Sequence, residues 1–171
     1  PTAFWQAHHQ ALSTYSDLIT QWVTGGQYGV EPVGWDLYGG VGALVPALHH
    51  ALGNNSHIHS VESARIMATS GQVTFGDDVH FHIGLVGNLV DTLPQPDVVM
   101  LDPPRVGAGA DVVTRIAARK PQRVIHIGCD PATFATDIRA WSQAGYHLSD
   151  IVVVNAFPGT HHFETLGLLQ P

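Results

Sequence analysis

The chain carries a single cysteine, Cys129, among its 171 residues. That excludes an internal disulfide framework, a cysteine-rich zinc site and an iron–sulfur cluster built from this chain alone. Long apolar runs are missing as well; none approaches the roughly 18 residues of a membrane span. Basic residues are few, with 7 Lys+Arg against 14 Asp+Glu and a formal net charge of −7. Charged residues make up only 12% of the chain, about half the usual ~25%. This balance argues against a dedicated nucleic-acid-binding domain, whose footprint is normally basic. The opening Pro1-Thr2-Ala3-Phe4-Trp5 has no basic stretch leading into an apolar one, so no secretory signal is expected and a cytoplasmic location is.

What is present is a chain of single-domain length in which apolar runs alternate with amphipathic stretches. Leu12, Tyr15, Leu18, Ile19 and Trp22 form a helical stripe over residues 7–23, ended by Gly25-Gly26. Strands are predicted at 33–38, 58–61, 79–83, 97–101, 123–127, 151–154 and 164–169. Helices are predicted at 42–52, 63–71, 109–119 and 132–144. The runs Asp97–Leu101 and Arg123–Ile127 are apolar throughout, as strands buried on both faces of a parallel sheet must be. Alternation of this kind predicts one α/β domain over residues 1–171: an open, mostly parallel Rossmann-like sheet with an antiparallel C-terminal strand and helices on both faces. An α/β chain that opens on a helix also reads as part of something longer.

Four segments carry candidate chemistry, and each also has an ordinary structural explanation. Asp36-Leu37-Tyr38-Gly39-Gly40-Val41-Gly42 lies between a strand and a helix, where glycines let backbone approach a ligand. Glu62 closes the next strand, where a carboxylate can accept both hydroxyls of a ribose. Val45 stands where a dinucleotide fingerprint would have its third glycine, which favours an adenosyl cofactor and disfavours a nicotinamide oxidoreductase. Asp102-Pro103-Pro104-Arg105 follows a central strand directly, and its prolines either shape a binding loop or simply stop the strand. Cys129 lies between a strand and a helix start; it is a candidate nucleophile with a depressed pKa, or a small buried hydrophobe. Glu164 opens the last strand as a general base or a surface charge.

Taken in order, these segments resemble the catalytic domain of the RNA 5-methyluridine (uracil-C5) methyltransferase family. The matching residues are Phe4-Trp5-Gln6, the 36–42 loop, Val61-Glu62, Asp102-Pro103-Pro104-Arg105, Cys129-Asp130-Pro131 and Phe157-Pro158-Gly159-Thr160-His161-His162-Phe163-Glu164. The resemblance implies a class I fold with S-adenosyl-L-methionine as cofactor. It implies RNA, rRNA or tRNA, as partner, with no metal or membrane involved. It carries cofactor binding onto Gln6, Tyr38, Gly40, Gly42, Glu62 and Asp102, the nucleophile onto Cys129 and the base onto Glu164. It also implies N-terminal RNA-binding segments, which these 171 residues do not contain.

Three positions depart from the family pattern. Asp130 replaces the Asn that follows the cysteine, and beside a thiol a charged carboxylate would oppose thiolate formation. Ala43 replaces an Asn in the cofactor loop, and Leu85 replaces an Asp after the third strand, for which Asp77 or Asp78 is a conceivable substitute. These departures keep two alternatives open: methylation of another substrate, and a non-catalytic cofactor-binding homologue. The 12 histidines include two His-x-His pairs, His57/His59 and His80/His82. They read as ordinary polar positions rather than metal ligands, since no Asp, Glu or Cys sits at a matching spacing. Full histidine protonation would turn −7 into +5, so RNA affinity is expected to rise as pH falls toward about 6.

Overall fold

The computed structural model describes residues 9–155 and 163–171. Seven strands form one sheet: β1 (Val33–Leu37), β2 (His57–Glu62), β3 (Val79–Ile83), β4 (Val98–Leu101), β5 (Arg123–Gly128), β6 (His147–Val154) and β7 (Glu164–Gln170). Their order is β3-β2-β1-β4-β5-β7-β6. Pairings from β3 to β5 are parallel, and β7 runs antiparallel to both β5 and β6. Because β7 is reversed, its first residue lies at the same sheet edge as the carboxyl ends of β1, β2, β4 and β5. The predicted sheet, with its antiparallel C-terminal strand, is the sheet observed.

Six helices cover it: α1 (His9–Thr24), α2 (Val45–Leu52), α3 (Arg65–Phe75), α4 (Val86–Leu89), α5 (Ala110–Ala118) and α6 (Pro131–Gln143). Successive strand residues serve opposite faces. Val98 and Met100 join Ile58, Ile125 and Ile127 beneath α1 and α2, where Tyr15, Ile19 and Leu48 are buried. Val99 and Leu101 join Trp35, Leu37 and Val61 on the other face, packed against Val113, Ile116 and Trp141 of α5 and α6. Gly71 of α3 sits where an added Cβ would lie 2.4 Å from the Phe81 ring, so its lack of a side chain sets how closely α3 approaches β3. Among the described residues, no helix is long and apolar enough to cross a membrane.

Several boundaries differ from the sequence reading for identifiable reasons. The first strand ends at Leu37, because Tyr38 takes a left-handed φ of 61°. The helix expected from residue 42 starts at Val45, because Gly42 has φ +80° and residues 39–44 form turns. The strand expected over 151–154 starts at His147 and accommodates an irregularity between Leu148 and Asp150. Its polar Ser149 and Asp150 are tolerated because β6 is an edge strand. Helix α4 has four residues, too few to produce a helical period.

Candidate active site

The carboxyl edge of the sheet surrounds a cavity of about 530 Å³, within the range of small-molecule sites. The loop after β1 contributes Tyr38, Gly39, Gly40, Val41, Ala43 and Leu44. Glu62 comes from the end of β2, Asp102 to Arg105 from the loop after β4, Cys129 from the end of β5 and Glu164 from the start of β7. Leu12 and Tyr15 of α1 and Met67 of α3 complete an apolar part of the wall. The structure thus brings Tyr38, Gly40, Glu62, Asp102, Cys129 and Glu164 to one cavity.

Gly42 is not on the cavity wall; an added Cβ there would meet Phe75 and Phe81 at 3.0 Å. Its lack of a side chain permits the turn and close packing behind the loop. Gln6, His161 and His162 lie outside the described residues. Asp36 and Arg105 also line the cavity and were not singled out as site residues. An acidic residue inside an otherwise apolar strand was the available signal for Asp36. The helical stripe identified Tyr15 only as core.

Backbone and side chains jointly shape the loop after β1. The Glu62 carboxylate accepts the Gly40 N–H at 3.1 Å through Oε2 and the Ala64 N–H at 2.6 Å through Oε1. It therefore ties the loop after β1 to the turn after β2 while facing the cavity itself. Gly40 has φ +59°, and a Cβ there would find only the Met67 Cε, at 3.7 Å. Its backbone thus lies open to a ligand. At Gly39 a Cβ would strike Asp36 Oδ2 at 2.1 Å, so glycine is needed for space. Tyr38 holds its left-handed backbone with a bulky side chain, a strain that concentrates at ligand-binding turns.

The electrostatics are strongly acidic. Burial pushes Asp36 up to about 6, against the Ser60 hydroxyl that donates to it at 2.9 Å, and nearby Glu62 pushes it further. Burial, Glu164 and Asp36 together push Asp102 up to about 7. Burial raises Glu164 too, while the Arg105 guanidinium pulls it back. The Cys129 thiol is likewise raised, first by burial and then by Glu164 and Asp102, against a backbone hydrogen bond and Arg105. This corrects the expectation of a depressed thiol. A helix start favours thiolate, but burial beside two acids outweighs it in the ligand-free pocket.

Asp130 has a different role from the one its position beside the thiol suggested. Its Oδ1 accepts the N–H groups of Ala132 at 3.1 Å and Thr133 at 2.9 Å, capping α6, and these bonds hold its pKa down. Asn and Asp cap helices about equally well, so the departure preserves the fold of this turn. The charges that raise the thiol come instead from Glu164 and Asp102. Asp77 and Asp78 form a single 3-10 turn before β3, at the amino edge of the sheet, and cannot replace an acid at Leu85. Ala43 faces the cavity with a methyl group only.

Behind the site, Asp137 of α6 accepts the N–H groups of Ala108 at 2.7 Å and Gly109 at 3.1 Å. His126 Nε2 lies 3.4 Å from Asp137, and His126 Nδ1 accepts the Trp141 indole N–H at 3.1 Å. The indole occupies Nδ1 as a donor, so the remaining ring proton sits on Nε2, facing the carboxylate. On the far edge, β2–β3 pairing stacks His59 on His80 and His82, with His59 Nδ1 3.0 Å from His82 Nε2. The His-x-His pairs do meet. Among the described residues, however, no three His, Cys, Asp or Glu side chains are arranged to hold a metal ion.

A family model described as tRNA (uracil-5-)-methyltransferase matches residues 56–171, more than half of the chain. The chain belongs to that family. An uncharacterized RNA methyltransferase of Corynebacterium efficiens is 51% identical over 98% of the chain and 40% of its own length. One of Corynebacterium glutamicum is 49% identical over 98% of the chain and 41% of its own length. The chain therefore spans about two fifths of these relatives. Among solved structures, the tRNA (uracil-54, C5)-methyltransferase of Pyrococcus abyssi, in complex with S-adenosyl-L-homocysteine, superposes with a TM-score of 0.79. It is 24% identical, with 99% of this chain and 40% of that one covered, a likeness of fold. The sheet is accordingly that of the family's methyltransferase fold.

Proposed function

We propose that this chain is the catalytic part of an S-adenosyl-L-methionine-dependent RNA methyltransferase acting on C5 of uridine in tRNA or rRNA. The observation that carries this reading is one cavity holding a thiol, Cys129, and the carboxylates Asp36, Glu62, Asp102 and Glu164. When bound, S-adenosyl-L-methionine supplies a methyl group on a cationic sulfur. The chain's residues fit such a ligand. Glu62 stands at the strand end suited to ribose hydroxyls, the open backbone of Gly40 admits close approach, and the acids favour a cation. Tyr38 and Asp102 border the same space.

In the reaction, the Cys129 thiolate adds to C6 of the uracil ring and forms a C–S bond. The C5=C6 electron pair moves onto C5 and the C4 carbonyl oxygen, so C5 becomes nucleophilic. C5 takes the methyl group, and the electron pair of the broken S–CH3 bond leaves with S-adenosyl-L-homocysteine. Glu164 accepts the C5 proton. The C–H electron pair re-forms C5=C6 and expels the thiolate. A positive charge in the cavity lowers the pKa values of Asp102, Glu164 and Cys129 together, so the thiol raised in the ligand-free pocket is released toward its reactive form. The target base has to be flipped out or single-stranded. At −7 this chain repels phosphate, so the rest of the relatives' length is the natural carrier of RNA affinity.

Transcripts of tRNA and rRNA bearing 5-fluorouridine test this reading. Fluorine cannot leave C5 as a proton does, so the methylated adduct on Cys129 persists and is seen on a denaturing gel. Cys129→Ala is expected to abolish it. An adduct that survives in Cys129→Ala would overturn the nucleophile assignment. Binding of S-adenosyl-L-homocysteine with no adduct and no methyl transfer would favour the non-catalytic reading.

A further inference from the structure

Tyr15 lies on α1, is 1% exposed, and its hydroxyl has no hydrogen-bond partner among the described residues. A buried hydroxyl left unpaired is costly, and a phenylalanine would fill the same space without that cost. Tyr15 also lines the cavity that holds Cys129 and Glu164. Its pKa is raised, first by burial and then by Glu164, Asp102 and Cys129 in that order. The phenol therefore stays protonated and available as a donor at the wall of this cavity.

The chemistry of the missing partner follows from the surroundings. Glu164 and Asp102 line the same cavity, and a neutral carbonyl is the acceptor that adds no further negative charge to it. In the reaction proposed above, Cys129 faces C6 of the ring and Glu164 faces C5. The ring position after C5, on the side away from C6, is the C4 carbonyl. Tyr15 lines the same cavity as Cys129 and Glu164, and the C4 carbonyl oxygen is the ring acceptor on which thiolate addition places negative charge.

We infer that the Tyr15 hydroxyl donates a hydrogen bond to the C4 carbonyl of the target uracil and stabilises the negative charge that thiolate addition puts on that oxygen. The inference rests on the uridine-C5 reading. It makes Tyr15 a catalytic residue of the oxyanion-stabilising kind, whose bond strengthens as charge develops.

The test is Tyr15→Phe in the full-length protein, assayed on tRNA and rRNA transcripts containing either uridine or 4-thiouridine. On uridine, kcat is expected to fall roughly 10- to 100-fold, with KM for RNA and the affinity for S-adenosyl-L-homocysteine within about twofold of wild type. With 4-thiouridine, whose sulfur is a weak acceptor, the wild-type advantage is expected to shrink to about threefold or less. Thermal stability of the variant is expected to be unchanged or raised. Wild-type turnover by Tyr15→Phe would overturn the inference, and so would an equal loss on both transcripts, which would mean a purely structural effect. If the wild type itself methylates neither transcript, the uridine-C5 reading fails, and the role of Tyr15 falls with it.

Discussion

Asp137 Oδ2 accepts the Ala108 N–H at 2.7 Å and so ties the helix that starts beside Cys129 to the loop that carries Asp102 and Arg105. The carboxylate is 2% exposed. Burial opposes its charge, but bonds from His126, Ala108 and Gly109 hold its pKa down. Asp137→Ala leaves two amides and the buried Nε2 of His126 unpaired. It is expected to cost about 3 kcal/mol, read as a lower urea midpoint at unchanged m-value. A loss under about 1 kcal/mol would mean that the loop is held by other contacts.

Asp102, raised from 3.8 to about 7, makes the ligand-free protein sensitive to pH. The folded state keeps this proton after the unfolded chain has lost it. The resulting stability is fully present below about pH 4 and is lost as pH rises through about 7. Asp102→Asn removes the penalty of the buried charge. Its melting temperature is expected to match wild type near pH 4 and to exceed it at pH 8, by an amount equivalent to about 4 kcal/mol. Equal differences at both pH values would contradict the assignment.

The same acids predict how charge selects the ligand. Asp36 and Asp102 gain charge as pH rises through about 6 and about 7. Calorimetry is expected to show S-adenosyl-L-methionine, whose sulfur is cationic, gaining on S-adenosyl-L-homocysteine between pH 5.5 and 8, by roughly tenfold. A ratio independent of pH would remove these carboxylates from the account of cation binding.

Glu62 both holds Gly40 and faces the cavity. Glu62→Ala is expected to weaken S-adenosyl-L-homocysteine binding roughly 10- to 100-fold, the loss of charged hydrogen bonds. Unchanged binding would argue against a ligand-holding role.

At the far edge, burial and then the neighbouring His82, His80 and His57 lower the pKa of His59 from 6.5 to about 4. Its stability contribution is present above about pH 6.5 and is lost as pH falls toward about 4. His82 is lowered too, first by burial and then by His80, so the charge reversal expected from 12 histidines is blunted at this edge. His59→Asn is expected to lose about 1–2 kcal/mol less stability than wild type between pH 7 and pH 4.5 in urea titrations. Parallel curves would mean that the cluster takes up protons freely.

The sequence by itself determined the sheet and its ends. Apolar runs such as Val98–Leu101 have to be buried on both faces, and glycine and proline punctuate the chain where backbone must turn. The order of motifs also named Glu62, Asp102, Cys129 and Glu164, because loops at the carboxyl ends of parallel strands converge. Tertiary structure alone decided the rest, since it depends on what each group faces across long chain separations. At Gly42 an added Cβ would meet the rings of Phe75 and Phe81. Asp130 proved to cap its helix instead of facing the thiol. The thiol itself is raised first by its burial and then because Glu164, which lies 35 residues further along the chain, is folded back toward it by the reversed strand β7. Tyr15, one member of an ordinary helical stripe, is a candidate only because its hydroxyl lies unpaired among the described residues at the wall of that cavity. Periodicity reports which way a side chain points, but only the packed molecule shows whether a partner is there.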